Sequence, residues 1–157
     1  MGQFGSAKGK QVTRTKQRTE FLGDILVGAI ENYGYGWFSV DTYHIPEDNP
    51  GAWFADIIED DGDGQVHHVD LRTIAKGLSV IRYARVDVVA TRTRMDGSEY
   101  NVPGYVNEKT GQPLYMGEKQ RANILLSDRT NGEDGDMDVI DYLAVLECAI
   151  FGAVTYA

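Results

Sequence analysis

The chain is poor in the residues that lock or chemically arm a fold. Of its 157 residues one is cysteine, Cys148, so no internal disulfide can form, which fits a reducing compartment. Only four are proline, at 46, 50, 103 and 113. No run approaches the ~20 apolar residues that a membrane helix needs. The first apolar stretch, 21–30, is broken by Asp24 and reads as an amphipathic helix rather than a leader. No Gly-x-Ser-x-Gly elbow is present, so a serine hydrolase has no support. Gly9-Lys10 lacks the strand, the leading glycine and the following Ser or Thr of a phosphate loop.

Charge is unevenly distributed. Residues 1–18 contain Lys8, Lys10, Arg14, Lys16 and Arg18 and no acid, while 19–157 hold ten basic and twenty-four acidic side chains, a balance of −14. This reads as a basic flexible arm, 1–18, ahead of one acidic domain, 19–157. A body of that charge repels phosphate and suits a basic surface, including one that normally holds nucleic acid. With 42% hydrophobic residues the body can bury a core without staples.

Periodicity organises the body as an α+β fold, a small antiparallel sheet packed against three to four helices. Phe21, Leu22, Ile25, Leu26, Ala29, Ile30 and Tyr33 make one helical stripe from Thr19 onward, weakened by Gly23 and Gly28. Packing must hold that helix, or another backbone passes close. Residues 37–44, 52–59 and 65–69 read as three strands of a meander, with a tight turn at 60–64. Asp70 caps a second helix carrying Leu71, Ile74, Ala75, Leu78 and Ile81 inward. Residues 83–115 read as an irregular excursion, with alternation at Val86, Val88 and Ala90 and a turn at Asp96-Gly97. A short helix at 117–127 turns Ala122, Leu125 and Leu126 inward. The polar link 128–138 leads to an apolar helix at 138–150, followed by an edge strand at 153–156.

Three groups of residues are candidate sites. Asp128, Glu133, Asp134, Asp136, Asp138 and Asp141 form an acidic cluster fit for a basic partner, though capping also explains acids at a helix start. Glu59, Asp61, Asp63 and Asp70 have the 1-3-5-12 spacing of a calcium loop, with Gly64 at position 6. Glu at position 1, Asp at 12 and a strand on the leading side favour a plain hairpin turn, so no cofactor is expected and calcium is the alternative. Trp37, Tyr43 and Trp53, with the arm cations Lys8, Lys10, Arg14, Lys16 and Arg18, are the alternative nucleic-acid or nucleotide surface. Strand alternation, however, puts half the aromatics inside. His67 and His68 are adjacent on a strand, point to opposite faces and cannot share a metal; His44 belongs across the sheet from one of them. Cys148, in the apolar helix, reads as a structural thiol.

The segments at 19–38, 66–81 and 125–157, about 70 residues, resemble small proteins encoded by bacteriophages of actinobacteria. The shared features are a helix running into a Gly-aromatic strand, a capped helix with Ala-x-Gly, and an Asp-Arg-Thr-Asn link before an apolar helix ending in Phe-Gly. The resemblance implies a phage accessory protein acting in the host bacterial cytoplasm. It brings no activity and no catalytic residues, and the basic arm and 83–115 depart from the shorter pattern. The expectation is a binding protein without catalysis that engages a host or phage protein, as an inhibitor of host defence or nucleic-acid machinery would. A virion component is a further alternative.

Overall fold

Burying the helical stripes against one another and against one sheet face dictates the architecture. The computed structural model describes residues 14–155. Its elements run α1 (Lys16–Ile30), β1 (Phe38–His44), β2 (Phe54–Glu59), β3 (Val66–Asp70), α2 (Leu71–Arg82), β4 (Arg85–Thr93), β5 (Glu99–Val106), α3 (Glu118–Thr130) and α4 (Val139–Phe151). Short 3-10 turns lie at Tyr33–Tyr35 and Pro50–Ala52. The fold is α+β, with antiparallel sheets ordered β1-β2-β3 and β4-β5.

One apolar core draws on all four helices and the larger sheet. α4 lies at its centre, with Leu143–Ala149 buried along its middle turns. α2 crosses it so closely that a Cβ at Gly77 would run into the carbonyl oxygen of Val145. α1 is held differently. The ring of Trp53 lies over Gly23 and the ring of Tyr142 over Gly28. Aromatic rings, not a neighbouring backbone, therefore account for the two helix-weakening glycines.

The sheet register places Ala55 opposite Val69 and Ile57 opposite His67. Ala55, Ile57 and Val69 are fully buried on the helix side. On the open side the rings of His44, Phe54 and His68 form a row, with centroids 5.3 and 5.1 Å apart. His67 points the other way, toward Trp37 and Phe151, as adjacent strand positions require.

Four expectations change. α1 begins at Lys16, capped by the Thr15 hydroxyl, so Lys16 and Arg18 belong to a helix rather than an arm. Lys8 and Lys10 lie outside the described residues. Most of 83–115 is a regular hairpin of β4 and β5, with a register shift between Val88 and Ala90, and only 107–117 is irregular. In α3 Ala122 is exposed, and Ile124, Ser127 and Asp128 are the buried positions. Residues 153–155 form no strand, and Tyr156 lies outside the described residues.

Gly77→Ala is expected to lower unfolding stability in urea by about 2 kcal/mol. The overlap with Val145 outweighs the helix propensity that alanine gains.

Candidate functional site

The acids gather where α1 passes the α3–α4 link. Glu20, Asp24 and Glu31 are spaced by four and seven residues, so at 100° per residue they fall within about 40° on one face of α1. Asp24 and Asp136 both line a cavity of about 210 Å³ that also touches Phe21, Met137 and Tyr142. The field there is negative. Burial, with help from Glu20, pushes the Asp24 carboxyl above its ordinary value. Burial and then Asp24, Asp141, Asp138 and Asp136 push the Tyr142 phenol up.

The link is held rigidly from behind. The Asn123 side chain donates to the Asp136 carbonyl at 2.9 Å and accepts from the Asp136 amide at 2.8 Å. The Thr130 hydroxyl accepts from the Asp134 amide at 3.0 Å. The carboxylates of Glu133, Asp134 and Asp136 are left toward solvent, without a hydrogen bond or ion pair among the described residues.

Two members of the sequence cluster do other work. Asp128 is buried, with its carboxylate 2.7 Å from Arg18 and 2.6 Å from Arg82. Arg18 therefore ties α1 to α3 and is not a free arm cation. Asp141 is buried too. Its carboxylate accepts from the Asp138 amide at 3.1 Å while Asp138 accepts from the Asp141 amide at 3.1 Å, a reciprocal helix cap. Gln120 donates to Asp141 at 3.1 Å. Burial raises the Asp141 carboxyl, an effect opposed in part by the bond from the Asp138 amide. Capping, not partner contact, explains both ends of the pair.

The calcium-loop residues do not converge. Glu59 meets His67 at 2.8 Å and Asp70 accepts from the Thr73 amide at 3.0 Å as the cap of α2, while Asp61 and Asp63 are exposed in the turn. Among the described residues no group of three or more His, Cys, Asp or Glu side chains is placed to hold a metal ion.

The aromatic surface is also dispersed. Trp37 is 5% exposed and packs edge-on to Phe38 and Phe151. Trp53 is half-buried, its indole donating to the Pro46 carbonyl at 2.7 Å. Of the three aromatics only Tyr43 is exposed, and Arg14 is half-buried just ahead of α1. A shallow groove of about 600 Å³ beside β3 is lined by His67, His68, Asp70, Arg72, Thr73 and Lys76. Burial and then Glu147 push the Cys148 thiol up to about 12, which leaves it unreactive.

No helix of the described residues is long and apolar enough to cross a membrane. Neither a family model, nor a curated protein, nor a solved structure matches the chain.

Sequence reasoning missed Glu20 and Asp24 as members of the site. Their helical spacing to Glu31 was a usable signal; the meeting of Asp24 with Asp136 was not.

Asp128→Asn is expected to cost about 3 kcal/mol in chemical denaturation, because it leaves two arginines without their carboxylate. Asp134→Asn should change stability by less than about 0.5 kcal/mol. For Asp24 the folded carboxyl binds its proton more tightly than the unfolded one, so its contribution is fully present in acid and is lost as pH rises through the folded value. Asp24→Asn should therefore raise the melting temperature at pH about 7 and lose that advantage near pH 3.

Proposed function

We propose that this protein is a binding protein without catalysis that docks its acidic face on a basic macromolecular surface. The carrying observation is that Asp24 of α1 and Asp136 of the link line one cavity beside Tyr142, with Glu20 adding to the negative field at Asp24. Like charges gathered on one face repel one another in the free protein, and a cationic partner relieves them. Glu133 and Asp134 extend the same face into solvent. The partner we favour is a host or phage protein whose basic groove otherwise receives nucleic acid. With the resemblance to actinobacterial phage proteins, the protein is then an accessory factor in the host cytoplasm that blocks defence or nucleic-acid machinery.

The nucleic-acid alternative loses support, because Trp37 and Trp53 are occupied inside the fold and Arg18 is paired. The virion alternative gains no residue from the fold.

The test is a pull-down from actinobacterial lysate with wild type and with an Asp24→Asn, Asp134→Asn, Asp136→Asn bait. The expected result is a specific protein retained at about 50 mM salt, released by about 500 mM salt, and retained at least about tenfold less by the triple variant. It should also be displaced by added DNA. Retention that ignores both salt and the three substitutions contradicts the reading.

A further inference from the structure

The acidic face of α1 ends at a hollow whose chemistry is not simply negative. Ile30, Glu31, Tyr33, Val40 and Tyr43 line a cavity of about 380 Å³. Ile30 is buried and Val40 half-buried, and both belong to or pack on the core, so the floor is apolar and fixed. Tyr33 and Tyr43 are 52% and 46% exposed, and Glu31 at the rim is exposed as well. The Tyr43 hydroxyl donates to one Glu31 oxygen, Oε2, at 3.3 Å. That bond orients the carboxylate and leaves its other lone pairs open, and Glu31 has no cation partner among the described residues. Burial and then Glu31 raise the Tyr43 phenol, so it remains a donor at neutral pH.

Glu31 is also misplaced for stability. It is the C-cap of α1, where the helix presents its negative end. A carboxylate there is unfavourable, and a cation is favoured. α1 has no basic residue in its last turn to compensate.

We propose that this hollow receives an arginine side chain of a basic partner segment. An arginine carries an apolar stem that needs a greasy floor, and Ile30 and Val40 supply it. Its planar cation stacks on aromatic faces, which Tyr33 and Tyr43 offer. Its fork of donors matches a carboxylate, here Glu31, and the helix end adds attraction. No neutral or anionic side chain uses all four features. The proposal rests on the binding reading for its biological meaning, since it names the anchor that a basic partner would insert. The site itself stands on local geometry.

The probe is N-acetyl-arginine amide, with the citrulline amide as the uncharged control of the same shape, titrated against the full chain. Tyrosine ring signals are followed by NMR. The expected result is saturable shifts of Tyr33 and Tyr43 with the arginine amide and none with citrulline. Glu31→Gln and Tyr33→Ala should each weaken binding about three- to fivefold. Both positions are exposed, so these variants should fold, and unchanged amide spectra elsewhere check it. Equal shifts with citrulline, or arginine shifts untouched by both substitutions, overturn the proposal. Asp134→Asn with Asp136→Asn should leave the titration unchanged. A failed pull-down alongside a positive titration therefore refutes the macromolecular partner and not the pocket, and the reverse pair of results refutes the pocket alone.

Discussion

Three helices meet at Asp128. Its carboxylate, 4% exposed, binds Arg18 from the first turn of α1 and Arg82 from the last residue of α2, while its own backbone carbonyl also accepts from Arg18 at 2.8 Å. A buried charge is tolerated only when it is paired and hydrogen-bonded. That requirement fixes the angle and register of α1 against α3 in a way that apolar contacts alone would not, because greasy surfaces slide and ion pairs with short bonds do not. The consequence reaches the surface. With α1 held there, Asp24 stands beside the α3–α4 link, Glu20 lies one turn back on the same face, and Glu31 ends the row at the tyrosine hollow.

The helices differ in how they treat their own dipoles. α2 begins with the Asp70–Thr73 capping box and ends with Arg82, and α4 begins with the Asp138–Asp141 box. Both follow the stabilising rule. α1 reverses it, with Lys16 and Arg18 at its start and Glu31 at its end. Arg18 is explained by Asp128. Glu31 has only the Tyr43 hydroxyl and no cation beside it among the described residues, and Glu20 raises Asp24 without a cation between them there. Local rules broken without compensation concentrate where a surface is used. The apolar core, including fully buried Leu22, Ile25 and Leu26 on the opposite side of the same helix, offsets the cost.

Much of this fold is legible in the sequence because its periodicities are clean. The stripe from Phe21 to Ile30, the Asp70 cap and the apolar run of α4 each lead directly to an element. The start of α1 is obscured because lysine and arginine at a helix start contradict the dipole rule, and the reason for Arg18, Asp128, lies 110 residues away. α3 misleads because two of its buried positions, Ser127 and Asp128, are polar. The β4–β5 hairpin hides behind Pro103 and Gly104, which look like breakers. Proline is tolerated on an edge strand, and Gly104 makes room for the side chain of Val89. The site suffers most. Reading acids by chain proximity groups Asp128 and Asp141 with the exposed ones, whereas the fold buries these two and brings in Glu20 and Asp24.

The central claim is that one face, built from α1 and the α3–α4 link, carries the contact with positive charge. Amide chemical-shift mapping of the full chain with a short arginine-rich peptide tests it most directly. The account predicts perturbations confined to 20–31, 33–43 and 133–138, fading as salt is added. Shifts spread evenly over the surface, or centred on the β4–β5 hairpin, would contradict it.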